Sequence, residues 1–265
     1  MNERRKLWMG LSAALMVGTT SAHSALPVEK GTPGSSQALQ LAALGGEGEG
    51  AEASVDLRTD DVSYLGQLGL VRGHLWVGLQ LYRHDHREMA RTHMKHPGDE
   101  LYSSLVPAMQ ARDVPAFAET LSALSDSVNA DAPLSTVEEK YAALSDAIAE
   151  AEQLDQAALK TVLLSIAYMT RTAAEEYALG VKMGDVVNHH EYQDSYGFTE
   201  VARQRLDRLT PDQRAAGPEA IAAVREQLQQ IDSLWPELVP EARLNGDASV
   251  LYGASARIEI AAGSL

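Results

Sequence analysis

The sequence predicts an all-α protein, a helical bundle preceded by a signal peptide and a disordered leader. Three observations predict it. Apolar residues recur at three- and four-residue steps through nearly all of residues 56 to 265. Proline, glycine and helix-capping residues fall between the periodic stretches, at Pro115, Pro133, Gly184, Pro211, Gly217, Pro236 and Pro240. Only the tail SVLYGASARIEI reads at all like a strand, and a lone strand has no partner to pair with, so helix is expected there too.

The elements follow in chain order. Arg4, Arg5 and Lys6 make a basic start, Leu7 to Gly18 an apolar core, and Thr19 to Ala25 a small-residue stretch suited to signal peptidase. The apolar run is shorter than a bilayer of ~30 Å requires, so residues 1–24 read as a cleaved signal and the mature chain as periplasmic or secreted. Residues 25–55 are rich in Gly, Pro, Ser and Ala, bury no core, and read as a disordered leader. The domain proper is expected at 56–265. Its first helix carries Tyr64, Leu65, Leu68, Val71, Leu75, Leu79 and Tyr82 on helical spacing, with Asp60 and Asp61 at its start. Gly66, Gly69, Gly73 and Gly78 within it cost about 1 kcal/mol each against Ala, which points to another helix passing very close. Arg72, His74 and Gln80 argue against a membrane span.

A His/Met segment follows and is expected to stop before Pro97, leaving His96 at a helix junction. Further helices are expected at about 99–112, 115–128, 135–152, 155–179, 189–209, 217–234 and 247–261. Ser135 with Glu138 reads as a capping box and Asn188 with Glu191 as a close variant. Leu68, Val71, Leu75, Leu79, Leu163, Ile166 and Phe198 are expected inside.

Composition excludes several function classes. There is no cysteine, hence no disulfide, thiolate metal site or covalent haem attachment. Lys and Arg total 22 against 37 Asp and Glu, a net charge of −15, which disfavours nucleic acid and anionic lipid as partners. No Gly-x-Ser-x-Gly elbow, His-Glu-x-x-His, P-loop or dinucleotide glycine fingerprint is present, so an enzyme is not expected.

Two stretches carry ligand chemistry. Five of the eight histidines lie between His74 and His96, interleaved with Met89 and Met94. If residues 86–95 are helical, His86, Met89 and His93 share one stripe with His96 at its edge; imidazole and thioether both ligate metals. The competing reading is a set of helix-end and surface histidines. The second stretch is EEYALGVKMGDVVNHHEYQDSYGFTEVARQRL, where Glu175, Glu176 and Tyr177 end one helix and His189, His190, Glu191, Tyr192 and Asp194 begin the next, so that carboxylate, imidazole and phenol converge across a short loop. These suit iron; Met89 and Met94 would suit copper. Here the competing reading makes Glu191 a cap residue, Tyr192 and Tyr196 a core pair, and Asp194 a solvated surface acid.

The pattern Glu176-Tyr177, Val181-Lys182, Gly184, Val186-Val187-Asn188, Glu191-Tyr192, Phe198 resembles a segment of the periplasmic helical region of bacterial high-affinity iron permeases, over about thirty residues. The Arg-Glu-x-x-Glu motif of those permeases is missing, since Arg87-Glu88 is followed by Arg91 and Arg225-Glu226 by Gln229. No transport activity is therefore implied. What the resemblance implies is a soluble relative of the extracytoplasmic module, binding iron or copper for a membrane metal transporter or a periplasmic partner. The alternative is a helical protein-protein interaction module that needs no metal. The two divide on whether His86, Met89, His93 and His96 share a pocket with acids or with His189 and His190, or point separately into solvent.

Overall fold

The computed structural model describes residues 55–265; the expected signal peptide and the leader up to residue 54 lie outside the described residues. The first helix, α1 (Asp61–Arg83), is capped by Asp60, whose carboxylate accepts from the Ser63 N–H. It is buried on almost every side, as expected of a helix apolar around its circumference. On one side lie α6 (Leu159–Gly180) and α7 (His189–Asp207), with α9 (Pro218–Gln230) and α10 (Ala248–Gly263) packed beyond them. On the other lie α2 (Arg87–His96), α3 (Tyr102–Ala111) and α5 (Leu134–Glu152), with α4 (Ala118–Asn129) against α2 and α5. A short α8 (Pro211–Ala216), held by a capping box of Thr210 and Gln213, was merged with a loop in the sequence reading. All seven residues expected in the core are buried. Among the described residues no helix is long and apolar enough to cross a membrane.

The structure corrects the sequence reading in three places. Pro97 does not stop the His/Met helix. His96 keeps helical dihedrals (φ −52°, ψ −47°), and a π-helical turn at Pro97–Leu101 leads directly into α3. Pro97 stands at the first position of that turn, where its missing N–H is tolerated, and the Tyr102 N–H reaches back to its carbonyl, so the helix continues. Ser135 and Glu138 form no capping box, because α5 starts at Leu134 after Pro133 with no side-chain cap, and Glu138 pairs instead with Arg83 at 2.6 Å. A two-stranded hairpin joins α6 to α7 where none was expected. Val181–Lys182 pairs antiparallel with Asp185–Val186. Its turn puts Met183 and Gly184 at positive φ (52° and 88°), a two-residue turn that favours glycine.

Two packing features fix where the site falls. The glycines of α1 do admit close neighbours. A Cβ on Gly73 would lie 2.5 Å from Phe198 Cδ1, and one on Gly197 would lie 2.6 Å from the Gly73 carbonyl oxygen. The backbones of α1 and α7 therefore meet at this pair. Deeper in, Glu152 at the end of α5 is fully buried and binds three arginines: Arg205 Nη2 at 2.6 Å, Arg72 Nε at 3.0 Å and Arg208 Nη1 at 3.0 Å. Burial alone would push the Glu152 carboxyl up, but the three guanidinium charges hold it at about 2. This cluster ties α1, α5 and α7 together.

Candidate metal centre

Beside the Gly73–Gly197 contact, α1, α2 and α7 bring four histidines and a carboxylate into one cluster. His74 comes from α1, His93 and His96 from successive turns of α2, and His190 and Asp194 from successive turns of α7. The rings of His93 and His190 stack at 4.4 Å, with His96 4.6 Å from His74 and 5.2 Å from His190. Phe198 closes one side, edge-on to His74 at 5.0 Å.

Asp194 is the hub. Its Oδ1 lies 2.6 Å from His74 Nδ1 and 3.0 Å from His93 Nδ1, and its Oδ2 lies 3.1 Å from His190 Nδ1. Asp194, His74 and His93 are 2%, 3% and 0% exposed, so water does not screen this contact. Burial pushes the Asp194 carboxyl up, yet the adjacent His74 and His93 more than offset it and hold the group far below the usual carboxylate range. Despite their closeness, His74 Nδ1, His93 Nδ1 and Asp194 Oδ1 make no hydrogen bond, because no ring N–H is directed at the oxygen.

Gln193 explains the orientation of His93. Its amide nitrogen donates to the Leu238 carbonyl at 3.0 Å and to the Met89 sulfur at 3.4 Å, so both of its hydrogens are used. Its oxygen, 2.9 Å from His93 Nε2, must then accept from that ring. In the neutral imidazole the proton therefore sits on Nε2, and Nδ1, 3.0 Å from Asp194 Oδ1, carries a lone pair that passes beside that oxygen rather than pointing at it. A carboxylate oxygen and a bare imidazole nitrogen 3.0 Å apart repel each other; a proton on the ring, or a metal ion reached by both atoms, turns the contact into an attractive one.

A second acid group adjoins the cluster. Glu191 Oε2 lies 3.6 Å from His190 Nδ1, and Glu176, on α6, stands next to Glu191. The contact with His190 draws the Glu191 carboxyl down, whereas burial and then Glu191 push Glu176 up to about 8. The pair thus holds one proton between two carboxyls near neutral pH. Asn188 caps α7 through the His190 N–H, and its side-chain amide donates to Glu191 Oε1 at 3.3 Å; the expected capping-box variant does not form, because the Asn188 N–H is taken by the Gly180 carbonyl.

Of the residues singled out in the sequence, the structure gathers His93, His96, Glu176, His190 and Glu191 into this cluster. It leaves three outside. His86 immediately precedes α2, is exposed, and lines a separate groove with Trp76, His84 and Tyr196. Met89 stands behind Gln193 rather than among the nitrogen and carboxylate donors, and Met94 is core packing against Gly78. Asp194 is not a solvated surface acid; it is buried at the centre. His74, which opens the histidine-rich stretch but falls outside the stripe of candidate ligands, is buried beside it. Both left a trace in the sequence: a lone histidine on an otherwise apolar helix, and an acid four residues after a histidine. Two donor groups result, His74 with His93 and Asp194, and His190 with Glu191 and Asp194, each with ligand atoms within 4.8 Å of one another.

A family model described as the iron permease-associated 4-helix bundle domain matches residues 155–262. The match runs from just before α6 to the last turn of α10 and includes the segment whose resemblance was read from sequence. It divides the cluster: Glu176, His190, Glu191 and Asp194 lie inside it, whereas His74, His93 and His96 precede it. No curated protein and no solved structure matches the chain.

Proposed function

We propose that the protein binds a first-row transition-metal ion, iron foremost, between α1, α2 and α7, and serves metal uptake as an extracytoplasmic accessory of a membrane transporter rather than as an enzyme. The observation that carries this reading is the set of three buried ligand atoms, His74 Nδ1, His93 Nδ1 and Asp194 Oδ1, which converge without hydrogen-bonding. A buried polar group without a partner costs about 1–3 kcal/mol, more if charged, and three facing one another are relieved together by a cation. Gln193 supplies the supporting contact that ligating histidines usually have, leaving the Nδ1 lone pair available to a metal ion beside the carboxylate. The donor chemistry favours iron, manganese or zinc over cuprous ion, because the thioethers of Met89 and Met94 stand apart from the nitrogen and oxygen donors. The match of residues 155–262 to an iron permease-associated domain supports uptake as the setting.

The test is anaerobic calorimetric titration of the metal-stripped protein with ferrous ion, with cuprous and zinc ions as comparisons. Ferrous ion is expected to bind with Kd of about micromolar or tighter, and Asp194→Asn or His93→Ala to weaken it at least about tenfold. Binding no tighter than about millimolar, or variants that titrate like the wild type, would overturn the reading and leave the metal-independent interaction module as the better account.

A further inference from the structure

Resting on that reading, a second observation deepens it: the two oxygens of the Asp194 carboxylate face different donor sets. Oδ1 faces His74 and His93; Oδ2 faces His190, with Glu191 alongside. Parallel stacking of the His93 and His190 rings, 9° apart in tilt, places two imidazoles side by side, each next to a different oxygen of the same carboxylate. One ion at Oδ1 would engage only one of the two donor sets, and one at Oδ2 would leave His74 and His93 crowded against Oδ1.

We propose that the centre holds two cations bridged by Asp194, an inner ion at His74, His93 and Oδ1 and an outer ion at His190, Glu191 and Oδ2. A carboxylate spanning two ions is the arrangement of two-metal sites, which hold their ions about 3.5–4 Å apart. The positions differ in access. The inner side chains are 0–4% exposed, whereas His190 and Glu191 are 23% and 27% exposed. Solvent therefore reaches the outer position first, and the inner ion enters past it. This order suits a protein that receives an ion and passes it on.

The test uses the full metal-stripped chain loaded with manganous ion, read by elemental analysis for stoichiometry and by electron paramagnetic resonance for coupling. Wild type is expected to take two ions per chain and give an exchange-coupled spectrum. His190→Ala and the near-isosteric Glu191→Gln are each expected to take one ion, with the simple spectrum of an isolated centre and helical content unchanged by circular dichroism. His74→Ala is expected to lose the inner ion. One ion per chain in the wild type, or two ions with no coupling, overturns the bridged pair while leaving a mononuclear site standing. No ion bound at all overturns both the pair and the metal reading beneath it.

Discussion

Replacing Glu152 by glutamine keeps the shape of the side chain and removes the one negative charge among Arg205, Arg72 and Arg208. The magnitude follows from the structure. A carboxyl held at about 2 rather than 4.5 favours its ionised, folded form by about 3 kcal/mol, at about 1.4 kcal/mol per pH unit. That agrees with the roughly 3–5 kcal/mol lost when one partner of a buried ion pair is removed. Arg205 is wholly buried, so its charge has no route to water in the variant. For a domain of this size the loss corresponds to a fall in Tm of roughly 6–12 °C. The sign with pH also follows: a depressed carboxyl stabilises fully above its unfolded value near 4.5 and loses that contribution as pH falls toward 2. Urea unfolding of wild type and Glu152→Gln at several pH values measures both effects. The stability gap is expected to be full at pH 7 and to narrow between pH 4.5 and 2. A Tm change under about 2 °C at pH 7, or a gap that widens on acidification, would refute the reasoning.

Three further outcomes are expected. Gly73→Ala places a methyl 2.5 Å from the Phe198 ring and 3.1 Å from the Gly197 carbonyl carbon, and is expected to cost about 1–3 kcal/mol by urea unfolding; a neutral change would mean that the two helices separate freely. Glu176 is expected to be protonated at pH 7, giving a protonated-carboxyl infrared band that fades as pH passes about 8 and is missing in Glu176→Gln; absence of that band from the wild type at pH 7 counts against the shared proton. Gln193→Leu removes the acceptor that fixes His93 and is expected to weaken ferrous binding roughly 10- to 100-fold with little loss of helix; unchanged affinity would show that the ring needs no such support.

Helical periodicity made most of the bundle legible, because burial of one face or of a whole circumference leaves a direct mark on residue spacing. The glycines of α1 announced a close neighbour, and Gly73 meets Gly197. Local geometry that depends on a few hydrogen bonds was less legible. Proline at 97 ends most helices, and only the π turn lets this one pass; the hairpin at residues 181–186 is too short to show an alternating pattern. At the site, His93, His96, His190, Glu191 and Glu176 were readable because ligand types clustered along the chain. His74 and Asp194 lay within those stretches, but their place at the centre was not readable, because the contact that gives it joins residues 120 positions apart. Sequence spacing on one helix says nothing of which side chain faces it from another. The same limit placed His86 in the stripe, whereas the start of α2 at Arg87 leaves it exposed.

On the proposed metal reading, the glycine contact between α1 and α7 has a bearing on ion choice. Gly73 adjoins His74 in sequence, and Gly197 stands three residues from Asp194, so the span across the inner position is set where the two backbones touch. Metal–ligand distances tolerate only about 0.2 Å, and ions of the first transition row differ in radius on that scale. Parting the helices by one methyl group exceeds that tolerance. Discrimination among ions is then written partly in two residues that touch no metal, and a variant with altered selectivity is best sought among small substitutions at this crossing, with every ligand left in place.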